Sequence, residues 1–84
     1  MADRLGAEIT FDPHVFTRQS ERNFDLDFVE ETIRKGIIIT EKSQSPAKFC
    51  YELYHGKERR TYVVIAEHHP DFIEVKTVWL RQGR

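Results

Sequence analysis

Residues 13–22 read PHVFTRQSER and set His14, Arg18 and Arg22 four apart. On a helix that spacing stacks three side chains on one face, with a rise of about 6 Å between neighbours. An imidazole can give or take a proton near neutral pH, and two guanidinium forks can grip phosphate oxygens from two directions. Like charges so placed cost an isolated helix about 0.2–0.5 kcal/mol per pair. The row therefore needs either neighbouring carboxylates or an external anion. In the first case Arg18 pairs with Glu21 and Arg22 with a carboxylate of the next helix, giving a solvated charged face. In the second, the face is an anion site.

Further candidates lie downstream. Thr77 falls in the alternating row Ile73, Val75, Thr77, Trp79, where a hydroxyl either bonds locally or edges a cleft against the first helix. Lys57, Arg59 and Arg60 belong to a hairpin, HGKERR, and Arg81 follows the last strand. With Lys76 on one side of a sheet they would form a track for a phosphate backbone; otherwise they are solubilising charges. The stretch EHHPD holds two adjacent histidines between two carboxylates, but neighbours in an extended chain point apart and no further ligand stands at a recognised metal spacing. No metal site and no cofactor is expected. The sequence has no Gly-rich phosphate loop, no G-x-S-x-G elbow and no Cys/His catalytic pattern.

The elements that must position these residues are legible from local signals. EITF (8–11) reads as a short leading strand. Asp12 as N-cap and Pro13 at the first helical position open a helix to about Arg22, with Asn23 as a left-handed end. FDLDFVEETIRKG predicts a second helix, with Asp25 as N-cap, Arg34 and Lys35 in the last turn, and Gly36 as its glycine stop. Leu26, Val29 and Ile33 form its apolar stripe, and Phe24 staples onto Val29. IIITEK (37–42), AKFCYELY (47–54), RRTYVVIAE (59–67) and DFIEVKTVWL (71–80) read as strands split by SQSP, HGKE and HHP. The expected class is α+β, with two N-terminal helices on one face of a four- to five-stranded antiparallel sheet.

At 84 residues the chain has room for a single domain, residues 1–84. The lone Cys50 cannot form an internal disulfide, no apolar run approaches the roughly 20 residues of a membrane span, and no secretory leader is evident. These features favour a reducing cytoplasm and exclude a membrane role. Net charge is −1. Residues 1–42 carry six Lys/Arg against nine Asp/Glu (6 − 9 = −3), and residues 43–84 carry seven against five (7 − 5 = +2). Any basic surface is therefore local.

A helix with His, Arg and Arg at four-residue steps, then FDLDFVEETIRKG, then a meander ending in FIEVKTVWL, resembles a family of small uncharacterised domains. These are related to the RelE-like and BrnT-like toxins of prokaryotic toxin–antitoxin systems, and the resemblance spans residues 9 to 80. It implies a RelE/BrnT-like fold, metal-independent endoribonuclease activity in active members, and RNA and an antitoxin protein as partners. The positions it implies for the active centre are His14, Arg18, Arg22 and Thr77, in a cleft between the first helix and the sheet. The competing expectation is a non-catalytic module of the same fold, holding a nucleic acid or a protein.

Overall fold

The computed structural model of the chain describes residues 4–43 and 47–84, so most of the SQSP connection, residues 44–46, lies outside the described residues. The order is β1 (Glu8–Phe11), α1 (Pro13–Arg22), α2 (Leu26–Lys35), β2 (Ile37–Ile38), β3 (Lys48–His55), β4 (Arg60–His68) and β5 (Phe72–Gln82). Five strands form one sheet in the order β1-β5-β4-β3-β2. Three neighbouring pairs are antiparallel, as short connections dictate, while β1 returns from the start of the chain to lie parallel to β5. Both helices pack on one face, so the expected α+β architecture is the observed one.

Local chemistry sets the helix ends. The Asp12 carboxylate accepts from the His14 backbone N–H, and Asn23 ends α1 in the left-handed region at φ 55°. Asp25 caps α2 in the same manner as Asp12 caps α1. The far end of α2 falls where expected, at Gly36, which is extended at φ −72° and ψ 166°. What demands glycine there is crowding, because a Cβ would lie 2.5 Å from the Thr32 carbonyl oxygen and 2.6 Å from that of Glu52. Arg4 completes this end by donating to the carbonyls of Ile33 (2.8 Å) and Gly36 (2.6 Å). Arg34 holds the incoming segment through the carbonyls of Arg4, Leu5 and Ala7.

The core lies between the helices and the sheet. Val15, Phe24, Val29 and Ile33 meet Tyr51, Tyr62, Val64, Ala66, Ile73, Val75 and Val78. Each aliphatic side chain so buried contributes about 1.5–3 kcal/mol. In β3 and β4 the core positions alternate, at Phe49 and Tyr51 and at Tyr62, Val64 and Ala66. In β5 they do not, because a bulge intervenes: Ala66 pairs with Val75 but Ile65 pairs with Thr77. One extra residue reverses every later side chain. Ile73 and Val75 face the helices, then Val78 and Leu80 do, and Thr77 and Trp79 turn to the opposite face with Ile65 and Val63. The IIITEK segment is strand only at Ile37–Ile38. Beyond it Ile39 still donates to the Cys50 carbonyl, and Thr40–Lys42 then coil into a short 3-10 turn. No helix among the described residues is long and apolar enough to cross a membrane.

Candidate functional site

Helix α1 buries Val15 against the sheet and leaves His14, Arg18 and Arg22 exposed along its outer face. His14 follows the cap closely enough for its Nδ1 to lie 2.7 Å from Asp12 Oδ1. A ring whose Nδ1–H donates to that carboxylate keeps Nε2 as its other nitrogen, on a side chain that is 56% exposed. The second Asp12 oxygen meets Lys76 Nζ at 3.2 Å. The His14 backbone N–H foremost, and then Lys76, hold the Asp12 carboxyl below the ordinary carboxylate range, so it stays charged. An imidazole oriented by a carboxylate is the arrangement a general acid–base group requires.

The ion pairs expected of a merely solvated face do not form. Among the described residues Arg18 and Arg22 make no hydrogen bond or ion pair, either to Glu21 or to any carboxylate of α2. The structure brings three of the four proposed catalytic residues into one row, and the fourth elsewhere. Thr77 belongs to the face of the sheet turned away from α1, because the β5 bulge reverses its direction. The expected cleft between α1 and the sheet is also missing: no pocket is found among the described residues, since Val15 seats the helix directly on the core.

The five cations proposed as a nucleic-acid track do not gather on one side of the sheet. Arg81 reaches Glu52 at 3.1 Å on the face away from the helices, and Lys76 is held by Asp12 and Glu74. Arg60 lies on the helix side, donating to Glu58 Oε1 at 2.6 Å and to the Asn23 carbonyl at 3.0 Å. The latter contact abuts the end of α1 on the β3–β4 hairpin, where Lys57 and Arg59 are exposed and unpaired among the described residues. The α1 row thus leads toward this tip.

Tyr62 braces the junction. Its hydroxyl accepts from the Asp25 backbone N–H at 3.0 Å and donates to Glu58 at 2.9 Å. Burial alone would raise the Glu58 carboxyl, but hydrogen bonds from Arg60 and Tyr62 outweigh it and hold the group below its ordinary value. Glu52 is likewise depressed against its burial by Arg81 and Lys42. Carboxylates depressed in the folded chain contribute stability that is present above their unfolded values and lost as pH falls through the folded ones. Urea midpoints are therefore expected to be level near neutrality and to decline below about pH 4. The Glu58→Gln variant should show a shallower decline over the same range.

Two groupings were invisible to motif reading. Asp12 as the partner of His14 follows from the cap, a signal present in Asp-Pro-His but read only for its effect on the helix. At the β4–β5 turn, His68 and His69 do point apart: His68 turns into the core, its Nε2 2.6 Å from the Tyr51 hydroxyl. His69 turns to Glu67 (3.2 Å) and, across the hairpin, to Glu74 (3.6 Å). Glu74 stands seven residues from Glu67, and only the strand register brings them opposite one another.

Residues 11–80 match the model of a family described as a domain of unknown function, DUF4258. No curated protein and no solved structure matches the chain.

Proposed function

Because the chain belongs to the DUF4258 family of domains of unknown function, its activity must be argued from its own groups, and we propose that the outer face of α1 binds RNA and cleaves it without a metal ion. The observation that carries this is the solvent-facing His14, fixed through Nδ1 by Asp12 at 2.7 Å, in one row with two guanidinium groups that have no partner among the described residues. His14 Nε2 takes the proton of a ribose 2′-hydroxyl. The 2′-oxygen attacks the adjacent phosphorus, the bond to the 5′-oxygen breaks, and that oxygen takes a proton from water. Arg18 stabilises the phosphorane charge, and Arg22 holds the next phosphate toward the hairpin tip. Thr77 has no part in this version of the site. The resemblance to RelE-like and BrnT-like toxins supports the same reading, with a cytoplasmic location and an antitoxin covering this face.

That no cleft is found among the described residues favours a second reading, in which the face holds RNA but does not cut it. Incubation of the protein with RNA and a chelator separates the two. Fragments ending in 2′,3′-cyclic phosphate establish cleavage, whereas intact RNA, free and on ribosomes, leaves a binding module. Both readings predict a salt-dependent affinity. Arg18→Ala and Arg22→Ala should each weaken RNA binding and lower the slope of log K against log salt by about 1. Filter binding over a salt series measures this, and unchanged slopes would remove α1 from the interface.

A further inference from the structure

Glu67 and Glu74 are direct partners in the β4–β5 register, where like charges repel and destabilise the pair. Between them stands His69 Nε2, 3.2 Å from Glu67 Oε1 and 3.6 Å from Glu74 Oε1. All three atoms lie within 4.8 Å of one another. Although the His69 ring is one-third exposed, its Nε2 is sealed from solvent and makes no hydrogen bond. The nitrogen is close to both carboxylates yet in hydrogen-bond geometry with neither. The ring is held in that pose by stacking on Phe72, with centroids 4.4 Å apart and planes 17° from parallel, and by the His69 N–H to Phe72 carbonyl bond of 2.8 Å.

From this we infer that Glu67, His69 and Glu74 form a site for a divalent transition cation of the zinc type, completed by water. An ion about 2.0–2.1 Å from tetrahedral ligands sets those ligands roughly 3.3 Å apart, the spacing His69 Nε2 already keeps from both carboxylates. A ring nitrogen this close to two carboxylates but bonded to neither is accounted for by a cation shared among the three. Two lysines already border these carboxylates: Lys76, 3.6 Å from the Glu74 oxygen and 3.2 Å from Asp12, and Lys48, the register partner of Glu67 on β3. Lys76 keeps Asp12 when Glu74 turns to the ion. One imidazole with two carboxylates suits zinc, cobalt or manganese better than calcium. The site lies on the β4–β5 hairpin and goes beyond the reaction proposed for α1, which needs no metal.

Zinc chloride titrated into the protein, followed by calorimetry and by the imidazole nitrogen signals in NMR, tests the site. A single ion should bind per chain and shift the His69 ring signals while leaving those of His14 and His55 in place. His69→Ala and Glu74→Gln should each weaken binding at least about tenfold, with unchanged circular dichroism. His14→Ala should bind zinc as the parent does. Absence of binding at millimolar zinc, or an affinity that falls less than this in either ligand variant, would overturn the proposal.

Discussion

His14→Ala is expected to lower RNA cleavage by about 10²- to 10⁴-fold, the contribution of one positioned acid–base group, while RNA binding falls far less. The variant should keep its fold. His14 is exposed, and the helix cap uses its backbone N–H, which alanine retains. Asp12 loses a ring partner but keeps Lys76. The deficit should therefore appear in the turnover rate, with affinity left to Arg18 and Arg22. Thr77→Ala is the matching control. Its side chain lies across the sheet from α1, so cleavage should persist unchanged. Single-turnover assays on both variants decide the matter: full activity in His14→Ala, or its loss in Thr77→Ala, is incompatible with a centre on the outer face of α1.

Gly36→Ala should destabilise the domain by about 3 kcal/mol, at the upper end of what overpacking costs. In a domain of this size that lowers the melting temperature by roughly 12–24 °C. Backbone strain is not the cause, since φ −72° suits any residue. The methyl group would press on two carbonyl oxygens, Thr32 within α2 and Glu52 in β3. Neither is a flexible side-chain tip that can swing aside. Relief requires α2 to part from β3, which also stretches the Gly36 N–H to Thr32 bond of 2.8 Å and the Arg4 bond to the Gly36 carbonyl. A thermal melt within a few degrees of the parent would show that the junction is looser than its geometry demands.

The helices were legible in the sequence because their determinants are local. Asp12, Pro13, Asn23 and Asp25 act within one turn, and each performs the role its chemistry predicts. Other features depend on residues far apart in the chain. The β5 bulge cannot be read from FIEVKTVWL, in which Thr77 and Trp79 continue a faultless alternation with Val75. The extra residue becomes visible only against β4. That single offset removed Thr77 from the site inferred for it. The pairing of Glu67 with Glu74 and the parallel seat of β1 are likewise matters of register. Gly36 shows a different limit: a glycine after a basic last turn signals a helix stop, and the sequence does not say whether the reason is a left-handed dihedral or a crowded neighbour. For the α1 row, spacing fixed the alignment, and its lack of ion pairs among the described residues emerged only once the described carboxylates had positions.

The seat of β1 has a consequence for assembly. Glu8–Phe11 hydrogen-bond to Phe72–Val75, so the first strand of the chain waits for the last. Both helices face a similar delay, since the β4 and β5 residues that cover their apolar stripes are made after them. A ribosome elongating at about 5–20 residues per second would release α1 and α2 with nothing yet to dock against. Vectorial, piecewise maturation is thus closed to this topology. The nascent chain must hold its Phe, Val and Ile side chains unsheltered until the C-terminal ribbon emerges, and then condense in one late step.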